Sequence, residues 1–167
     1  WAPPGLNDVA ASPAAQITSV VCLNSEDRKT TIFATGDPAR IVVEYVAHQP
    51  VKDVLFEIYF YSIFGNLHTH FSTDVDGNSL DLEPGRGIVE FFCPELPFEV
   101  ASFKIEASIR KRGSSFNEHI DYKHAVGVNI IKGKPVHGVY HTPHTWSVKR
   151  VALKESDDAE AVVKEAD

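Results

Sequence analysis

The sequence predicts an all-β chain folded as a sandwich of two antiparallel sheets. Two observations carry this. From Ile17 onward, short runs rich in Val, Ile, Phe and Tyr recur, each closed by Gly, Pro, Asn or Asp. Within those runs side chains sort by alternation, the period of a strand, and the two longest fit no helical period.

Residues 1–16 mix Pro, Ala, Gly, Asn and Asp without a sustained apolar period and read as a linker entering the domain. Ile17 to Leu23 is the expected first strand. Ile41 to His48 sends Ile41, Val43, Tyr45 and Ala47 one way and Val42, Glu44, Val46 and His48 the other. In Val54 to Tyr61, Val54, Phe56, Ile58 and Phe60 oppose Leu55, Glu57, Tyr59 and Tyr61. Leu67 to Ser72 follows, then a strand in which Val89, Phe91 and Cys93 oppose Ile88, Glu90 and Phe92. Ala101 to Arg110 turns Ala101, Phe103, Ile105, Ala107 and Ile109 inward and Ser102, Lys104, Glu106, Ser108 and Arg110 outward. Ala125 to Ile131 makes the seventh strand. Turn residues stand between them, as at Gly36-Asp37-Pro38, Phe64-Gly65-Asn66 and Arg112-Gly113-Ser114. The sandwich is expected over residues 17–148. Residues 149–167 turn to Ala, Glu, Asp, Lys and Val and read as an acidic tail, disordered or forming a short helix.

With 16 Lys+Arg against 23 Asp+Glu, a net charge of −7 and no basic block beyond Arg110-Lys111-Arg112, nucleic acid is not an expected partner. No apolar run approaches the roughly 20 residues that span a bilayer. The chain opens on Trp1 and contains no Met, and is therefore expected to be a piece of a longer protein. Cys22 and Cys93 both sit in apolar runs. They could be an inter-strand bridge or two core residues, and free buried thiols are the better reading.

Several constellations could carry chemistry. His68 and His70, at alternate positions of one strand, are expected on the same face, where both could reach one metal. A zinc site needs three or four ligands, and no Cys pair or His-Glu-x-x-His spacing joins them. Hydrogen-bonding or solvated histidines are the better reading there, and equally for His137, His141 and His144. Asp74-Val75-Asp76-Gly77-Asn78 resembles an oxygen cage for calcium but breaks the EF-hand order, so it reads as a solvated Asp-Gly turn. No catalytic nucleophile and no phosphate-cradling loop stands out. What remains is a polar and aromatic outer face: Glu57, Tyr59, Tyr61, Lys104, Glu106 and Arg110, with Glu44 and His48. A ring face stacks on the C–H surface of a sugar while charged groups take its hydroxyls, so these six residues are the candidate carbohydrate site. Ordinary exposed or interface-packed residues explain the same residue types equally well.

The order of motifs resembles one family. Phe33-Ala34-Thr35-Gly36-Asp37 before Ile41-Val42-Val43-Glu44-Tyr45, the strand Val54 to Tyr61 followed by Gly65, then Phe71-Ser72-Thr73, and Gly87-Ile88-Val89-Glu90-Phe91 before Pro94-Glu95-Leu96 are similar in order and spacing to the C-terminal carbohydrate-binding domain of Wzt-type ATP-binding subunits of O-antigen polysaccharide exporters. The resemblance covers about residues 17–132. It implies an immunoglobulin-like two-sheet antiparallel β-sandwich, non-catalytic and without a cofactor, cytoplasmic at the inner face of the inner membrane. It also implies a homodimer with an exchanged terminal strand, and contact with the membrane transporter subunit through a domain outside this chain. Its partner would be the capped non-reducing end of a lipid-linked O-polysaccharide. On that reading Arg110 and Lys104 suit an acidic cap, and Tyr59, Tyr61 and Glu57 a neutral one. The alternatives are a metal-dependent β-sandwich enzyme using His68 and His70, or a plain dimerisation module.

Overall fold

The computed structural model describes residues 13–115, 118–136, 138 and 140, the side chains of residues 124 and 125 apart. Nine strands lie in this part: β1 (Ala15–Leu23), β2 (Ile32–Ala34), β3 (Ala39–Ala47), β4 (Val51–Ser62), β5 (Leu67–Ser72), β6 (Leu80–Leu82), β7 (Gly85–Cys93), β8 (Ala101–Lys111) and β9 (His119–Ile131). All seven strands expected from alternation are present. The two that were not expected, β2 and β6, have three residues each, too few for alternation to show. The expected acidic tail and His137, His141 and His144 lie outside the described residues.

The strands form two sheets, a three-stranded one in the order β1-β3-β7 and a six-stranded one in the order β2-β9-β8-β4-β5, with β6 on β4 beyond the end of β5. Pairing is antiparallel except between β2 and β9, which run parallel and make the larger sheet mixed. One apolar core fills the space between the sheets. Ile41 and Val43 of β3 meet Val54, Phe56, Ile58 and Phe60 of β4 and Phe103, Ile105, Ala107 and Ile109 of β8 there. These are the faces that alternation assigned to the interior, because successive strand side chains point to opposite sides. Burying each such Val, Ile or Phe stabilises the fold by about 1.5–3 kcal/mol before the entropy of ordering is subtracted.

The two sheets are tied along one side. Thr18 bulges out of the β1–β3 register, its carbonyl accepts from Lys123 Nζ of β9 at 2.8 Å, and Ile17 N donates to Asp121 Oδ2 at 2.6 Å. These side chains use up polar groups that an edge strand would otherwise leave open for another chain. At one end, Asp37 Oδ2 accepts from Ala34 N at 2.8 Å, Gly36 N donates to Leu96 O and Leu96 N to Asp37 O, both at 2.8 Å. Gly36 holds φ +89°, a conformation that favours glycine, so this turn residue is set by the backbone.

Cys22 and Cys93 are free thiols. Cys22 pairs with Ile41 of β3, while Cys93 pairs with Ala39 on the far side of β3, so two inter-strand spacings separate their strands, too far for a disulfide. Burial pushes the Cys22 thiol up to about 12.

A buried polar face on the six-stranded sheet

The outer face of the larger sheet is organised by cross-strand register. Glu57 of β4 stands between Ser72 of β5 and Ser108 of β8, and Ser108 is followed by Tyr122 of β9. One row along, Tyr59 stands between His70 and Glu106, and in the next Tyr61 stands opposite Lys104. Leu55 faces Arg110, which faces His119. The six residues picked from alternation therefore share one face and adjacent rows.

Their exposure differs from expectation. Glu57 and Tyr59 are each 1% exposed and Glu106 7%, on a face expected to be wet. The cause is the flanking strands: His70 of β5 lies flat on Tyr59, with ring centroids 4.6 Å apart and planes 6° apart, and Tyr122 of β9 closes from the other side at 6.0 Å. His119 packs on Tyr122 at 4.9 Å. Tyr61, stacked on Tyr59 at 6.1 Å, is half-buried, Arg110 is also half-buried, and Lys104 is exposed.

At the centre the Glu57 carboxylate accepts from Tyr59 Oη at 2.6 Å, Ser108 Oγ at 2.8 Å and Arg110 Nη2 at 2.7 Å, with Arg110 Nε at 3.2 Å. His70 Nε2 lies 3.5 Å from its other side. Burial by itself would raise this carboxyl, but the hydrogen bonds from His70, Arg110, Tyr59 and Ser108 together outweigh it and hold it below the usual carboxylate range. Burial, then the hydrogen bond to Glu57, raises the Tyr59 phenol well above its ordinary value. Arg110 spends its remaining nitrogen, Nη1, on Ser114 O at 2.9 Å. Its charge is matched by Glu57, so it is not poised to meet an acidic ligand as its residue type suggested. The open rim of the face is Tyr61 and Lys104, with Glu106 beneath.

The histidine pair divides. His68 is the extra residue of a bulge, since Thr69 pairs with Phe60 and Leu67 with Tyr61. The bulge turns His68 onto Phe103 and Phe98, at 4.9 and 5.7 Å, while His70 faces Tyr59. The expectation that both share a face is corrected: they cannot share an ion. Among the described residues no group of three or more His, Cys, Asp or Glu is arranged to hold a metal. The Asp74–Asn78 segment is a turn, as read, closed by Gly77 N to Asp74 O at 2.9 Å, and Arg112 clamps it by pairing with Asp74 and Asp53.

His70, Ser108, Tyr122 and His119 complete the site. Ser108 was on the outward list, and the parity of His70 was readable. Tyr122 and His119 were missed because β9 begins six residues before the run Ala125 to Ile131 that announced it.

Two packed sheets around one apolar core, with a buried charged pair and stacked rings on one outer face, define the class: an all-β sandwich domain. The family is definite. A family model described as the Wzt C-terminal domain matches residues 8–142, and the chain belongs to that family, the carbohydrate-binding domains of O-antigen ABC exporters. The crystal structure of the C-terminal domain of Wzt superposes with a TM-score of 0.69 at 10% identity, covering 81% of this chain and 84% of that one. A Niemann-Pick type C2 protein from Japanese carpenter ant shares the fold more loosely, with a TM-score of 0.51 at 11% identity over 73% of this chain and 96% of that one. No curated protein sequence matches. Among the described residues no helix is long and apolar enough to cross a membrane.

Proposed function

We propose that the outer face of the six-stranded sheet binds the non-reducing end of a lipid-linked O-polysaccharide, and that this recognition licenses the glycan for export. The observation that carries the reading is the cross-strand array: register sets Tyr61 beside Lys104 and Tyr59 beside Glu106, above a Glu57–Arg110 pair that holds the rings rigid. A half-buried ring and a neighbouring ammonium are what a pyranose needs, one for its C–H face and one for its hydroxyls. With Glu57 and Arg110 neutralising each other and Lys104 next to Glu106, the face has little net charge and favours an uncharged terminal sugar over an acidic cap.

In this reading the domain is non-catalytic and spans about residues 17–148. It works as a homodimer at the cytoplasmic face of the inner membrane, and its ATPase domain would link it to the transporter subunit. Calorimetric titration with intact O-polysaccharide, and with glycan trimmed at its non-reducing terminus, tests it. Tyr61→Ala and Lys104→Ala are expected to weaken binding of the intact glycan, the ring by roughly five- to tenfold for a contact worth about 1 kcal/mol. Equal binding of trimmed glycan would remove end recognition, and unchanged affinity in both variants would remove this face.

A further inference from the structure

The sandwich is tied on its β1–β9 side but not on the opposite one. There β7 pairs only with β3, and β5 only with β4, so among the described residues two unpaired strand edges face each other across the gap between the sheets. A cavity of about 270 Å³ opens between them. Its floor is core, Val43, Phe56 and Ile58, and its walls are Phe71, Val89 and Phe91. These three wall residues point inward yet remain partly accessible, although inward residues of a closed sandwich lose their solvent. The Phe71 and Phe91 rings touch across the gap, with centroids 4.7 Å apart.

The mouth has a definite chemistry. Ser72, Thr73, Asn78, Asp76 and Glu90 line it, and no Lys or Arg does. The two arginines bonded to these segments are engaged: Arg40 with Asp27 at 2.7 Å and Glu90 at 3.3 Å, and Arg112 with Asp53, Asp74 and the Asn78 carbonyl. Asp76 has no ion pair among the described residues. An apolar chamber with an acidic, hydroxyl- and amide-bearing lip accepts a hydrogen-bond donor and repels an anion. An apolar cavity of roughly 150 Å³ takes one benzene ring, so this one has room for an apolar body of roughly ten carbons.

From this we infer that the slot between β5 and β7 is a second binding site, separate from the outer face, for an uncharged molecule with an apolar body of that size and a hydroxyl head. The body lies against Val43, Ile58 and Val89, and the hydroxyl donates at the Asp76 lip. A phosphate- or carboxylate-headed molecule of the same body is excluded by the lip.

A matched pair of probes tests this on the chain as it stands: 1-naphthalenemethanol and 1-naphthoate, which share the ten-carbon body and differ in head charge. The alcohol is expected to bind with intermolecular NOEs to the methyl groups of Val43, Ile58 and Val89, and the carboxylate at least roughly tenfold more weakly because of the acidic lip. Val89→Phe fills the chamber and should abolish alcohol binding. Asp76→Lys, on an exposed turn, should bring naphthoate affinity up to or above that of the alcohol. No binding of the alcohol, NOEs to other residues, or equal affinity for both probes in the unmodified chain would each overturn the inference, whatever the fate of glycan binding at the outer face.

Discussion

Replacing Arg110 by Met keeps much of the aliphatic stem and removes the guanidinium, which isolates the charge at the centre of the outer face. In the native chain the Glu57 side chain has no exposed surface and Arg110 covers it with Nη2 at 2.7 Å and Nε at 3.2 Å. The variant leaves Glu57 with Tyr59 Oη at 2.6 Å, Ser108 Oγ at 2.8 Å and His70 Nε2 at 3.5 Å, but without the fixed charge of the guanidinium. Stranding one member of a buried pair costs about 3–5 kcal/mol. The group can escape by taking up a proton, at about 1.36 kcal/mol per pH unit above an unfolded pKa near 4.3, which caps the cost at pH 7 near ~3.7 kcal/mol. The expected loss is about 3–3.7 kcal/mol, or roughly 6–15 °C in Tm for a domain of this size.

The pH dependence gives the sharper test. In the native chain the Glu57 carboxyl is depressed, so its contribution is complete above the unfolded pKa and fades only as pH falls through the lower folded value. Between pH 5 and 8 it is flat. In Arg110→Met the guanidinium no longer offsets burial, and with His70 and two hydroxyls left beside it the Glu57 carboxyl is expected to rise above its unfolded pKa, so the variant should regain stability as pH is lowered from 7 towards 5. Urea unfolding at pH 5, 6 and 7 measures both effects. A loss below about 1 kcal/mol, or one independent of pH, would refute the reasoning, as would a Glu57→Gln/Arg110→Met double variant whose loss is the sum of the two single losses.

Tyr59→Phe removes a hydroxyl that donates to a charged acceptor and should cost about 1.5–3 kcal/mol in urea unfolding, with spectrophotometric titration losing one tyrosine that ionises only above the ordinary range. Cys22, its thiol raised to about 12 by burial, should stay unmodified by a thiol reagent at pH 8 in the folded chain and react once urea unfolds it. Gly133→Ala would set a Cβ 2.3 Å from Thr35 O and 2.8 Å from Thr35 N, backbone atoms that cannot swing aside, so a loss of about 1–3 kcal/mol is expected in thermal unfolding. Zinc titration should leave the His68 and His70 imidazole resonances without a joint saturable shift, because the bulge places them on opposite sides of β5.

Alternation along β4 and β8 was legible in the chain because it is local: consecutive side chains of an extended backbone must point to opposite faces, whatever the strand pairs with. That was enough for the sandwich, for the apolar side of each long strand, and for placing Glu57, Tyr59, Tyr61, Lys104, Glu106 and Arg110 on one face. The motif order was enough for the family. Register was not legible, since which residue stands opposite which depends on hydrogen bonds between segments far apart in sequence. Pairing put His70 and Tyr122 over Tyr59, turning an expected wet surface into a buried network, and it joined Glu57 to Arg110 across 53 residues. A single inserted residue in β5 sent His68 to the side opposite His70, and the untied edges of β5 and β7 left a slot that no run of residues announces. Each strand's two faces follow from its own sterics, but what covers a face, and which charges meet on it, is decided only when separate strands are brought side by side.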